Sequence, residues 1–251
     1  MNKKITIAQI SDIHIPRPDQ QVIQGDTRKK FTSILESICQ DKPDFLVLTG
    51  DLCLWEGSVK VYQWIKERLD QTGLKYYIIA GNHDDVSLLA QVFNYNDRIA
   101  EDELYYSAEL GNLKVVFLDS SKGSISDKQL NWLQQQERIE KQQLVVFTHY
   151  PPVRAQVSFM DNNFPLVNQE EVLKALLKDQ VTVNYFCGHY HVEKSIVQDS
   201  LKVHICPSTY FQMNQQANEF QVEHYYPGWR KIVFEDNKLI TNVQYVFGQF
   251  S

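Results

Sequence analysis

Five short polar clusters in this 251-residue chain carry the residue types that bind cations and move protons. Asp12 and His14 follow the apolar run Ile5 to Ile10. Gly50-Asp51 follows FLVLT, and Gly81-Asn82-His83-Asp84 follows YYIIA. His149 follows LVVFT, and Gly188-His189-Tyr190-His191 follows VNYFC. Of the 7 histidines, only His204 and His224 fall outside these clusters, and both read as structural or surface residues. Asp, His and Asn supply oxygen and imidazole donors without a thiolate, a set that suits Mn, Fe or Zn better than a soft metal. The count fits two divalent ions. Asp12, His14 and His191 can serve one, Asn82, His149 and His189 the other, and Asp51 can bridge through its two oxygens. On an extended segment residues i and i+2 face the same side, so Asp12 and His14 can share an ion. His189 and His191 can do likewise or divide between two ions.

The elements that must gather these clusters alternate between strand and helix. Ile5 to Ile10, Phe45 to Thr49 and Tyr76 to Ala80 read as strands. Between them, Thr27 to Gln40 places Phe31, Ile34, Leu35 and Ile38 on one helical face, and Ser58 to Leu69 does the same with Val61, Trp64, Ile65 and Leu69. That rhythm implies parallel strands with crossover helices. Further strands are predicted at Leu113 to Leu118, Leu144 to Thr148 and Val183 to Cys187, with helices from Asp127, as cap, to Arg138 and from Asn168 to Asp179. From about residue 192 the chain turns β-rich, with strands at Ser195 to Val197, Leu201 to Cys206, Arg230 to Phe234 and Ile240 to Phe247, the last two separated by an Asp236-Asn237 turn. Phe211 to Pro227 shows no clear period and is assigned to no element. The best architecture is α/β, two packed sheets flanked by helices in one domain over 1–251. The alternative is one doubly wound sheet with a C-terminal β extension. In open α/β sheets ligands bind at the carboxyl ends of strands, so the five clusters should meet on one rim.

Composition narrows the function classes. The hydrophobic share is 43% and the charged share 22%, which excludes collagenous, disulfide-stapled and disordered chains. A net charge of −6 argues against bulk nucleic-acid binding, which rests on Lys and Arg neutralising phosphates. It leaves room for a small phosphate ester at a local positive site. Cys39, Cys53, Cys187 and Cys206 form no C-x-x-C pair and read as reduced core cysteines. The first apolar run is too short for a signal or a span, and no run reaches about 20 apolar residues. The expectation is a cytoplasmic protein with no membrane partner. The oligomeric state stays open, a homodimer included.

Taken in order, Ser11-Asp12-Ile13-His14, Gly50-Asp51, Gly81-Asn82-His83-Asp84, Thr148-His149-Tyr150-Pro151-Pro152 and Gly188-His189-Tyr190-His191 resemble the calcineurin-like metallophosphoesterase superfamily. The likeness covers about residues 5–210, and the series is far more specific than any one block. Pro207-Ser208-Thr209, Phe211-Gln212, Pro227-Gly228-Trp229-Arg230 and Gly25-Asp26-Thr27 resemble its class III cyclic-nucleotide phosphodiesterase branch. The resemblance implies a four-layer α/β/β/α sandwich of two mixed sheets and a dinuclear site. It implies Asp12, His14, Asp51 and His191 on one metal, and Asp51, Asn82, His149 and His189 on the other. His83 becomes the acid or transition-state stabiliser, oriented by Asp84. Many relatives have a second histidine where this chain has Tyr150, a departure expected to bear on the substrate pocket.

The implied reaction is hydrolysis of a small phosphodiester, with 3',5'-cyclic AMP as a candidate. Two ions about 3.5–4 Å apart clamp the phosphoryl group and acidify a shared water, whose hydroxide attacks phosphorus. Competing readings are another phosphoester hydrolase (nucleotide-sugar pyrophosphatase, glycerophosphodiesterase, phosphomonoesterase or protein phosphatase) and a non-catalytic scaffold, whose mark would be missing ligands. Arg17 and Arg230 are candidate phosphate contacts, with solvated roles as the alternative. Tyr105, Tyr106, Tyr225, Tyr226 and Trp229 are candidates for a base-stacking wall, with core packing as the alternative for most.

Overall fold

The computed structural model describes residues 4–111, 113–136, 143–178, 181–236 and 238–250. The chain opens with β1 (Ile5–Ile10), α1 (Thr27–Asp41), β2 (Phe45–Thr49), α2 (Val59–Thr72), β3 (Lys75–Ile79) and α3 (Val86–Phe93). It continues with β4 (Ile99–Ala100), β5 (Glu103–Leu104), β6 (Tyr106–Leu110), β7 (Leu113–Phe117), α4 (Asp127–Gln135), β8 (Leu144–Phe147), α5 (Ser158–Asn163), α6 (Gln169–Leu176) and β9 (Val183–Cys187). It closes with β10 (Lys194–Gln198), β11 (Leu201–Ile205), β12 (Gln212–Met213), β13 (Val222–His224), β14 (Gly228–Glu235) and β15 (Lys238–Tyr245).

Local chemistry sets the helices. The Asp26 side chain accepts the Arg28 and Lys29 amides at the start of α1, which buries Phe31, Ile34, Leu35 and Ile38 as their spacing predicts. Gly73, at φ +69°, ends α2. Ser126 rather than Asp127 caps α4, accepting the Gln129 amide. The predicted ends of α4 at Arg138 and of α6 at Asp179 lie outside the described residues, and their described parts stop at Gln135 and Leu176. The helix α3 was not anticipated. Its signal was present: Asp85 as cap, then buried Val86, Leu89, Ala90 and Phe93.

Two mixed sheets replace the alternative of a single one. The first has the order β15-β14-β1-β2-β3 and the second β10-β11-β9-β8-β7-β6. In the first, β1, β2 and β3 are parallel. In the second, β7, β8, β9 and β11 are parallel. One apolar cluster joins α1, α2 and α3 through the first sheet to Val115, Phe117, Val145, Phe147 and Phe186 on the facing side of the second. A separate cluster packs the outer side of the second sheet on α4 and α6. The layers are therefore helix, sheet, sheet, helix, a four-layer α/β/β/α sandwich.

A cross-strand stack pins the register of the second sheet. Tyr106, Phe117, Phe147, Phe186 and His204 are successive register partners on β6, β7, β8, β9 and β11. Their rings stack at centroid spacings of 4.5, 5.5, 5.2 and 5.0 Å. Such pairs add stability beyond the area they bury. His204, buried here with Nδ1 on Ser195 Oγ, is structural as expected. The cysteine expectation holds for Cys53, Cys187 and Cys206, which are buried and free. It fails for Cys39, which faces solvent on α1 one residue past buried Ile38.

Candidate metal centre

The parallel strands of the two sheets deliver all five clusters to one end of the sandwich, three from the first sheet and two from the second. Past β1 the chain runs beside the segment past β2, with the Asp12 amide on the Gly50 carbonyl at 3.1 Å and the His14 amide on the Asp51 carbonyl at 3.0 Å. Asp12 and His14 share a side as expected, but the backbone reason differs. Both are left-handed rather than extended, with φ 54° and 51°, as are Asp51, His189 and His191 at 53°, 67° and 53°. A left-handed non-glycine residue costs about 1–3 kcal/mol, and such residues gather at functional sites. Glycines permit the close approach. A Cβ on Gly81 would lie 2.4 Å from the Asp51 amide nitrogen, and one on Gly188 would lie 1.8 Å from Ser11 Oγ.

Two groups of donors result, and Asp51 stands between them. Asp12, His14 and His191 present ligand atoms within 4.8 Å of one another, as do Asp51, His149 and His189. The His pair after β9 is therefore divided between the groups. A third grouping, His14, Asp51 and His83, overlaps the first two. His191 Nε2 lies 3.3 Å from Asp12 Oδ1, His14 Nε2 lies 3.7 Å from Asp51 Oδ2, and His149 Nε2 lies 3.3 Å from Asp51 Oδ2. Asn82 Oδ1 lies 3.2 Å from His149 Nε2.

The rings are oriented from behind. His149 Nδ1 donates to the Thr49 carbonyl at 2.7 Å, which turns Nε2 toward Asp51 and Asn82. His189 Nε2 donates to the Phe164 carbonyl at 3.1 Å, which leaves Nδ1 for a ligand. Backbone partners of this kind fix the tautomer of a metal-binding imidazole. Tyr150 stacks on the His189 ring with centroids 3.7 Å apart. It braces a candidate ligand on the cleft floor and does not itself line the cleft, so any bearing it has on the pocket runs through His189.

The donor set fits divalent cations. His14 Nε2 and His191 Nε2 face each other at 3.0 Å, while Nδ1 of each is buried without a hydrogen-bond partner. One proton cannot satisfy two imidazoles and the adjoining carboxylates, whereas a cation accepts all their lone pairs. Electrostatics agree. Burial holds the His14 and His189 pKa values down to about 3, so both rings are neutral. Burial opposes ionisation of Asp12 and Asp51, but adjacent histidines outweigh it: His191 takes Asp12 down to about 2, and His149, by charge and hydrogen bond, takes Asp51 well below the usual carboxylate range. Burial disfavours charge on His149, yet the Asp51 carboxylate prevails and pushes it up to about 9. That proton must leave for His149 to ligate a metal.

His83 is half-buried at the edge of the cluster. Its Nδ1 contacts the Trp55 carbonyl at 3.2 Å, and its Nε2 lies 4.0 Å from Asp51 Oδ2. Asp84 does not hold this ring. Its carboxylate instead accepts the Leu52, Cys53 and Gly81 amides and the Tyr62 hydroxyl, which clamps the Asp51 loop to the loop after β3. Burial, then the Asp51 charge, push the Asp84 pKa up to about 6.

A cleft of about 670 Å³ opens over the cluster. His14, Asp51, Asn82, His83, His189 and His191 form its floor, and Trp55, Phe159, Phe164, Tyr210, Phe211 and Phe220 dominate its walls. Sequence reasoning missed these aromatic residues. The ones it named lie elsewhere: Tyr106 is in the cross-strand stack, Tyr105 packs on Trp132, and Trp229 is buried with Nε1 on Ser37 Oγ. Tyr225 and Tyr226 are half-buried or exposed outside the cleft lining. Arg17 pairs with Asp19 and Glu56. Arg230 is buried and donates to the Ile205 carbonyl and Thr241. Neither arginine lines the cleft.

Similarity to known proteins agrees with this geometry. Residues 5–193 match the family model described as calcineurin-like phosphoesterase. A Fibrobacter succinogenes protein named a probable cyclic nucleotide phosphodiesterase is 33% identical over 98% of this chain and 96% of its own. A Nostoc 3',5'-cyclic-nucleotide phosphodiesterase is 27% identical over 98% and 95%. Among solved structures, a dimetal phosphatase from Danio rerio superposes with a TM-score of 0.64 at 15% identity, covering 94% of this chain and 98% of that one. From the five clusters at one end of the sandwich and the match along most of its length, the chain belongs to the calcineurin-like phosphoesterase family and is a phosphoric ester hydrolase.

Proposed function

We propose that this protein is a dinuclear-metal-dependent phosphodiesterase for small phosphodiesters, with 3',5'-cyclic nucleotides, cyclic AMP foremost, as its substrate class. The observation that carries the reading is the cleft. Its floor offers cation ligands, its walls are aromatic, and no Lys or Arg is among the described residues that line it. A diester brings one negative charge and an attached base. Monoesters and pyrophosphates bring more charge, which the metals alone would have to neutralise. The names of the Fibrobacter and Nostoc relatives support the same substrate class.

In this reading Asp12, His14, Asp51 and His191 hold one ion, and Asp51, Asn82, His149 and His189 hold the other. Mn, Fe or Zn suits these donors. Bound as a pair, the ions supply Lewis acidity toward phosphoryl oxygens and toward water. The protein's residues do the rest. The Trp55 carbonyl fixes His83 so that Nε2 faces the cleft, where it can hand a proton to the leaving ester oxygen. A positioned acid of this kind contributes about 10²–10⁴-fold. Asp84 keeps the loop bearing Asp51 against the loop bearing Asn82 and His83. The aromatic walls seat the base and exclude water from the reacting face.

The whole chain forms one such catalytic domain, since β14 and β15 complete the sheet that begins with β1. Among the described residues no helix is long and apolar enough to cross a membrane. Three buried free thiols suit a reducing compartment, which supports a cytoplasmic location.

The test is turnover of cyclic AMP, bis(p-nitrophenyl) phosphate and p-nitrophenyl phosphate with Mn, Fe, Zn or Mg. The expected result is metal-dependent cleavage of the diesters with little of the monoester. Preference for the monoester would contradict it, and no turnover with two ions bound would favour a scaffold.

A further inference from the structure

Two separate aromatic surfaces flank the candidate metal centre and lean on different histidines. Trp55 is 61% exposed, its ring 5.9 Å from that of His83. The other surface is an arc of four phenylalanines. Phe211 stands 4.5 Å from His191, and Phe220, Phe159 and Phe164 follow at successive spacings of 5.7, 6.1 and 5.7 Å. The Phe164 carbonyl closes the arc on His189. Among the described residues, Trp55 makes its ring contact with His83 alone. Phe220 and Phe164 are 50% and 48% exposed, so each surface keeps apolar area for a ligand to cover. A cyclic nucleotide has one base, and both its ester oxygens belong to one ribose. It offers a single base to the two surfaces.

We propose that the same site also hydrolyses dinucleotides, acyclic phosphodiesters with a nucleoside on each side of phosphorus, with the leaving nucleoside stacked on Trp55 and the retained one on the phenylalanine arc. This rests on the phosphodiesterase reading above. The orientation follows from His83, which stands on the Trp55 side and is the residue placed to protonate the leaving oxygen. Water adds its oxygen to phosphorus and the P–O bond to the leaving group breaks, so (RO)(R'O)PO2⁻ and H2O give ROPO3H⁻ and R'OH. Stacking tolerates any base, which makes dinucleotides as a class the substrates, with little dependence on sequence.

The experiment compares adenylyl-(3'→5')-adenosine with cyclic AMP on the Mn-loaded wild type, Trp55→Ala and Trp55→Phe, and follows tryptophan fluorescence as the dinucleotide binds. Expected are cleavage of both substrates and a quench on binding that shrinks in Trp55→Ala. The KM for the dinucleotide should rise about tenfold in that variant, the range of one base–aromatic stack, with most of the loss restored in Trp55→Phe. Cleavage of cyclic AMP alone overturns this inference and leaves the phosphodiesterase reading standing. An unchanged dinucleotide KM and quench in Trp55→Ala also overturns it. Cleavage of neither substrate overturns both.

Discussion

Both oxygens of the Asp12 carboxylate accept the His189 amide, each at 3.1 Å, and so tie the end of β1 to the end of β9. Asp12 belongs to the rim of one sheet and His189 to the rim of the other. The ligand set therefore straddles the sandwich, and its geometry depends on how closely the two sheets approach at this seam.

Gly188 controls that approach. A Cβ there would meet Ser11 Oγ at 1.8 Å and Asp12 Oδ2 at 2.5 Å, so the backbone must move. Gly188→Ala is expected to cost about 1–3 kcal/mol, as overpacking does, and to weaken metal binding at the same time. Urea denaturation and metal titration of the variant check this. Wild-type behaviour in both would show that the seam is looser than described.

His83 and Asn82 are neighbours with different expected phenotypes. His83→Ala should keep both metals and lose about 10²–10⁴-fold in turnover. Asn82→Ala should lose affinity for one metal, since its Oδ1 stands beside His149 Nε2. Metal analysis beside steady-state kinetics separates them. Loss of an ion in His83→Ala would make His83 a ligand instead of an acid.

Asp84 faces only donors: three amides and the Tyr62 hydroxyl. An asparagine would turn an NH2 group toward one of them. Asp84→Asn is expected to destabilise the fold by about 2 kcal/mol, the scale of hydrogen bonds to a charged group. Chemical denaturation at neutral pH measures this, and an unshifted midpoint would refute the clamp.

Lys30 makes a stability prediction with a definite sign. It is buried on α1, donates to the Tyr210 carbonyl at 2.6 Å, and burial brings its pKa down to about 8 from 10.5. Between those values the folded state has released a proton that the unfolded chain still holds. Stability from this group therefore rises with pH across that window. The difference in unfolding free energy between wild type and Lys30→Met should favour the wild type more at pH 9.5 than at pH 7.5. Equal differences at the two pH values would show that Lys30 titrates as an ordinary lysine.

The floor of the site was legible in the sequence because each piece is local: an apolar strand, then one small residue (glycine in three of the five, Ser11 or Thr148 in the others), then Asp, Asn or His. Parallel pairing brings such pieces together without further information. The walls were not legible. Trp55, Phe159, Phe164, Phe211 and Phe220 come from segments without a repeating apolar pattern, and only tertiary packing makes them neighbours. The unassigned stretch from Phe211 to Pro227 holds the short hairpin β12–β13, whose two and three residues are too few to show a period. The left-handed backbone at Asp12 and His14 was hidden for a related reason, since Asp and His tolerate that region but nothing in the local sequence requires it.

The most direct measurement is metal content after equilibrium dialysis against Mn, for the wild type, His14→Ala and His149→Ala. The account predicts about two ions per wild-type chain and about one in each variant. A wild type that retains none, or variants that retain as much as the wild type, would contradict a paired centre shared through Asp51.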